Sequence, residues 1–133
     1  MKKITTFPYQ KYKGILSPII RIQLKGPSGL LESRALVDSG ASHSIFLTSV
    51  ARDLGIQYTK GKVSYTMVGN GGYIPLYTHI IPIKIGPTWH KTEVGFSPHL
   101  AADFNLLGQN VFKNFVITFN QHRRSITFKP YSS

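Results

Sequence analysis

The chain has 133 residues, 41% of them apolar and only 16% charged, which bounds it to one globular domain with a real core and excludes a disordered chain. The absence of cysteine excludes a disulfide scaffold, a zinc finger and a thiol nucleophile. Sixteen Lys and Arg against five Asp and Glu give a net charge of +11, a field that attracts anionic partners, yet only Lys2-Lys3 and Arg123-Arg124 are adjacent and the charge reads as a solvated surface.

The start, Met1-Lys2-Lys3-Ile4-Thr5-Thr6, is basic and no apolar signal core follows it. No run approaches the roughly 18 consecutive apolar residues of a membrane helix. The expected setting is therefore cytoplasmic, with no membrane partner. Residues 1–18 form an arm whose Pro8, Tyr9 and Tyr12 favour an extended conformation over a helix. Its role stays open between a pro-segment, a dimer strand and a binding arm. Residues 19–133 read as a single domain.

Residues 19–24 alternate apolar and polar, break at Gly26-Pro27-Ser28-Gly29, and resume over 30–37, so 19–37 reads as a β-hairpin. Residues 48–54 fit a short helix, with Thr48 as N-cap and Gly55 just past the end. A strand over 63–68 leads into Gly69-Asn70-Gly71-Gly72, a strong turn signal, and residues 73–85 continue as a strand. Pro75 and Pro82 argue for edge positions in it. Residues 89–96 form another strand. Residues 109–115 fit a second helix with Val111, Phe112 and Phe115 on one face. Residues 116–119 and 125–128 flank 120–124 as a closing hairpin. The expected fold class is all-β, a small closed or nearly closed barrel with one or two short helices.

The chemistry concentrates in Ala35-Leu36-Val37-Asp38-Ser39-Gly40-Ala41-Ser42, where an apolar strand runs straight into a carboxylate. A lone acid at the end of a buried strand is costly unless the site uses it. Ser39 can lock the loop by hydrogen bonding, and Gly40 permits a tight turn and the close approach of another chain. Ala41 and Ser42 keep the loop small. Alone, the segment is more often a strand-end turn capped by Asp than a catalytic loop.

Asp38-Ser39-Gly40-Ala41-Ser42 resembles the active-site signature of aspartic proteases, Asp followed by Thr or Ser and then Gly. Phe104-Asn105-Leu106-Leu107-Gly108-Gln109-Asn110-Val111-Phe112 resembles the second hallmark of that family, two apolar residues and a glycine leading into a short helix. Between them, the Gly69–Gly72 tip stands where the family carries its flap. A single copy of the signature in so short a chain resembles the retropepsin-like branch, in which two identical chains each donate one Asp. The resemblance spans residues 19–130. It implies an aspartic endopeptidase with Asp38 catalytic, Ser39, Gly40, Ala41 and Ser42 in the active-site loop, and Val68, Gly69, Asn70, Gly71, Gly72 and Tyr73 in the flap. Leu106, Leu107, Gly108, Gln109 and Asn110 would support the loop. It implies a homodimer that binds an extended peptide, Ser39 tying the two loops together, and no cofactor or metal. Two departures stand out. Ser39 replaces the commoner Thr, and Gln109 stands where retroviral members carry an Arg that supports the dimer.

Chemistry agrees with a dimer, because peptide hydrolysis by carboxylates needs one to activate water and one to protonate the substrate. Glu32, Asp53, Glu93 and Asp103 stand in no comparable motif. One alternative is a catalytically silent binding or dimerisation module on the same fold. Another is a nucleic-acid-binding barrel using the charge with Tyr65, Tyr73, Tyr77 and Trp89, although period-two placement assigns those aromatics to core or cleft. A serine hydrolase is poorly supported, because Asp38, Ser42 and His43 are too close in sequence to form a triad. His43, His79, His90, His99 and His122 lack metal-ligand spacing.

Overall fold

The computed structural model describes residues 3–67, 69–100 and 103–131. In chain order the strands are β1 (Thr5–Pro8), β2 (Gln10–Tyr12), β3 (Ile15–Ser17), β4 (Ile19–Gly26), β5 (Gly29–Val37) and β6 (Ile45–Phe46). Helix α1 (Thr48–Leu54) and a 3-10 turn (Tyr58–Lys60) follow, then β7 (Lys62–Met67), β8 (Tyr73–Ile85), β9 (Thr88–Phe96) and β10 (Asn105–Leu107). Helix α2 (Gln109–Phe112) leads into β11 (Phe115–Asn120) and β12 (Ser125–Pro130).

Strands β4, β5, β10, β6, β9 and β8 pair in that order, and β8 returns to β4 through Leu24 opposite Ile83. The ring of six is a closed barrel, which removes the free edges of an open sheet. The inward residues of β4 (Ile20, Ile22, Leu24) and β8 (Ile81, Ile83, Ile85) fill it with Val37, Phe46, Phe96 and Leu107. Phe46 and Phe96 meet edge to face with ring centroids 6.5 Å apart. Val50, Ala51 and Leu54 of α1 join the same core. β1, β12 and β11 form a separate three-stranded sheet whose Ile126 and Phe128 also pack there.

The all-β reading and the barrel are as expected. Helix α1 spans the expected residues and ends at Gly55 in the left-handed conformation. Its N-cap is Leu47 rather than Thr48, with no side-chain capping bond. α2 is shorter than expected and stops at Phe112. Phe115 instead opens β11, buried between the rings of His90 and Phe128. Pairing in the sheet outweighs one more helical turn there.

The expectation of edge positions for Pro75 and Pro82 is met only locally. β8 lies between β7 and β9, but β7 pairs with residues 73–78 and β9 with 77–85, so neither proline has both as neighbours. The arm is extended, as Pro8, Tyr9 and Tyr12 suggested: β1 pairs with β12, and β2 with β3. Among the described residues no helix is long and apolar enough to cross a membrane.

Candidate active site

Asp38 follows the last residue of β5, and the pairing of that strand fixes it. β10 runs parallel to β5, with Leu106 opposite Leu36 and Leu107 opposite Val37. On its other side β10 pairs antiparallel with β6, Leu106 opposite Ile45. The Leu-Leu segment therefore threads between the two legs of the loop 38–44. The Asp38 amide donates to the Leu107 carbonyl at 2.9 Å, and Ala41 N–H donates to the Asp38 carbonyl at 3.2 Å. The Gly40 amide donates to Asp38 Oδ1 at 2.9 Å, which holds the carboxylate in a tight turn. Asp38 is half-buried, while Ser39 and Gly40 are exposed.

Gly108 lies under the loop, where a Cβ would stand 2.3 Å from the His43 carbonyl oxygen and 2.7 Å from that of Ala41. Only glycine fits so close an approach. Its amide donates to Ser44 Oγ at 3.0 Å, and that hydroxyl donates to Asn110 Oδ1 at 2.8 Å. Asn110 Nδ2 donates to the Glu93 carbonyl at 2.7 Å, tying the start of α2 to β9. Gln109 grips the loop twice, its amide on the Ala41 carbonyl at 2.8 Å and its Nε2 on the Ser39 carbonyl at 2.9 Å. A neutral amide side chain thus braces the loop from below.

The β7–β8 hairpin overhangs this loop. At its tip Asn70 Oδ1 accepts from the Gly72 amide at 2.9 Å, and Gly71 adopts φ +85°, a left-handed value that favours glycine. Hairpin and loop enclose a cleft of about 740 Å³ that contains Asp38, Gly40, Ala41 and Ser42 below and Gly69 and Asn70 above. Leu106 lines it too, with Ile45 and Ile74. Ser39, Gly71, Gly72 and Tyr73 point to solvent at its margins, and Leu107 and Gly108 are buried beneath the loop. Val68 lies outside the described residues.

Asp38 is the one carboxylate among the residues lining the cleft. Glu32 pairs with Arg21 at 4.0 Å and Asp53 with Arg52 at 3.5 Å, both on the surface. Asp103 accepts a hydrogen bond from the Tyr12 hydroxyl. Glu93 lines a neighbouring small pocket. Among the described residues no group of three His, Cys, Asp or Glu side chains could hold a metal ion.

Four further residues belong to the site: His43, His99 and Leu100 line the cleft, and Ser44 braces its loop. In sequence His43 and Ser44 are marked only by being contiguous with the signature. His99 and Leu100 come from an irregular loop with no periodicity to read. Tyr65 and Tyr73 are 68% and 65% exposed, not in core or cleft, because their hairpin extends beyond the barrel. Trp89 is 40% exposed, with the Lys84 ammonium 6.0 Å from its ring centre. Tyr77 is half-buried against Tyr58.

Residues 29–114, well over half of the chain, match the family described as "gag-polyprotein putative aspartyl protease". No curated protein matches the chain in sequence. Among solved structures, a retropepsin-like aspartic protease from Rickettsia conorii superposes with a TM-score of 0.72 at 17% identity, covering 96% of this chain and 92% of that one. The EIAV protease, complexed with the inhibitor HBY-793, superposes with a TM-score of 0.56 at 20% identity, covering 78% of this chain and 92% of that one. At such identities the two structures speak for the fold, and the matched segment, which holds both the Asp38 loop and the strand beneath it, speaks for the family. The chain belongs to the gag-polyprotein aspartyl protease family and has the retropepsin-like fold.

Proposed function

We propose that the chain is an aspartic endopeptidase that works as a homodimer, with one Asp38 from each protomer forming the catalytic pair. The observation that carries this reading is the inventory of acids. The cleft offers a single carboxylate, and the other four of the chain are engaged or placed elsewhere. Carboxylate-only peptide hydrolysis needs two. A two-fold axis beside the exposed Ser39-Gly40 turn supplies the second.

In such a dimer the two Asp38 side chains, about 3 Å apart, share one proton. They titrate as a pair. The charged member takes a proton from a bound water, which attacks the scissile carbonyl. The protonated member donates a hydrogen bond to that carbonyl and stabilises the oxyanion. The proton then passes to the leaving nitrogen as the C–N bond breaks. The substrate lies extended, as a strand added beneath the hairpin, with alternate side chains in pockets. Ile45, Ile74 and Leu106 offer apolar lining beside Asp38. Closure of the 69–72 tip excludes water during the reaction. Ser39 ties the two loops across the axis, and Gln109, gripping its carbonyl, sets the loop that does so.

The test is cleavage of a mixed peptide library at about pH 5, wild type beside Asp38→Asn. Cutting by wild type and not by the folded variant is expected, with an acidic pH optimum and inhibition by a hydroxyl-bearing mimic of the tetrahedral intermediate. Equal cutting by both removes Asp38 from the chemistry. No cutting by a folded wild type at any concentration favours a binding module on the same fold.

A further inference from the structure

The end of the active-site loop carries a chemistry that the proposed reaction does not use. Ser42 and His43 line the catalytic cleft, and the same two residues line a smaller pocket of about 190 Å³ on its flank. That pocket is formed by β9 and α2, with Lys91 and Lys113 on its walls. His43 is exposed, and its ring makes one hydrogen bond among the described residues, Nδ1 to Ser42 Oγ at 2.9 Å. Nε2 is left available. Neither lysine forms an ion pair among the described residues, whose two pairs involve Arg21 and Arg52. A second histidine, His99, lines the cleft itself.

The charged and titratable groups around His43 are therefore Asp38 and His99 in the cleft, and Lys91, Glu93 and Lys113 in the pocket. Asp38 is committed to the catalytic pair. Glu93 is one acid against two lysines, and it is paired with neither. The pocket is positive at any working pH.

We infer that the Ser42–His43 shoulder is an acidic subsite: the protease selects extended peptides that place a glutamate or aspartate side chain over His43, backed by Lys91 and Lys113, with apolar residues nearer the scissile bond. This inference rests on the proteolytic reading of the cleft and names its substrate class. A carboxylate there meets the His43 ring and two lysine ammonium groups, whereas the isosteric amide meets the same groups with no charge to neutralise. Removal from water by the closed hairpin strengthens that difference.

The experiment uses paired peptides that differ only by Glu or Gln, scanned through each position around one cleavage site. The readout is the Glu-to-Gln ratio of kcat/KM. Wild type should favour Glu by about fivefold at one position. His43→Gln and the double variant Lys91→Gln/Lys113→Gln should each bring the ratio towards one, whatever happens to the absolute rate. The peptide pair selected in the scan is then bound to folded Asp38→Asn chain, which measures the same preference without turnover. If wild type cuts nothing, the whole pair set is bound to that variant instead; the protease reading then fails, while a His43-dependent preference for Glu still supports an acidic subsite. Equal treatment of Glu and Gln at every position, or a preference that all three substitutions leave intact, overturns it.

Discussion

Ser44 shows how much one hydroxyl can organise. It is 1% exposed, accepts from the Gly108 amide and donates to Asn110, joining the loop that carries Asp38 to the segment threaded beneath it. Ser44→Ala leaves the Gly108 amide buried without a partner, a cost of about 1–3 kcal/mol. Urea denaturation should show that loss, together with reduced turnover, because Asp38 is positioned through the same loop. A variant as stable and as active as wild type would show that the loop does not depend on this bond. Sequence inspection finds Asp38 and Gly108 because their neighbours form a pattern, whereas a serine reads the same whether exposed or bridging. Gln109 is a similar case. Its place after Gly108 is visible in the sequence, but its two bonds to the loop are not.

Among the elements, long alternating runs were the most legible. β8 matches its expected bounds, and the 19–37 hairpin closes around Pro27-Ser28 as expected. β6 and β10 are not legible as strands, because two or three residues carry no period and their existence depends on neighbours far along the chain. The arm shows the same dependence. The β2–β3 hairpin lies against the segment leading into β10, where the Tyr12 ring meets Phe104 edge to face at 4.6 Å and the Tyr12 hydroxyl donates to Asp103. That bond holds the Asp103 carboxyl below its ordinary range and raises Tyr12 above its own. The lowered acid stabilises the fold above the ordinary aspartate value and loses this as pH falls through its folded value. The raised phenol contributes below the ordinary tyrosine value and loses this as pH rises through its folded value. The clasp therefore acts fully between about pH 4 and about pH 10. Tyr12→Phe keeps the ring and removes the bond, so it should melt slightly earlier than wild type at neutral pH. The two melting curves should converge as pH falls below about 4. A difference that stays constant down to pH 2 would assign the effect to packing instead.

For the whole molecule, the barrel explains the position of the chemistry. Closing six strands leaves the β5–β6 loop at one end, raised on β10 and covered by the β7–β8 hairpin, with Ser39 and Gly40 facing outward. A monomer built this way presents one carboxylate in its cleft, and the proposed function needs a second from a partner chain. The charge of +11 works against self-association at low ionic strength, so added salt should favour the dimer until screening is complete. The claim that the centre is shared is tested most directly by mixing. Wild-type and Asp38→Asn chains are combined at constant total concentration, allowed to exchange, and assayed on one cleavable peptide. If each active centre needs two Asp38 side chains, activity follows the square of the wild-type fraction and an equal mixture retains about one quarter of it. A linear fall, with half the activity left in the equal mixture, would mean that each chain works alone and would contradict the account.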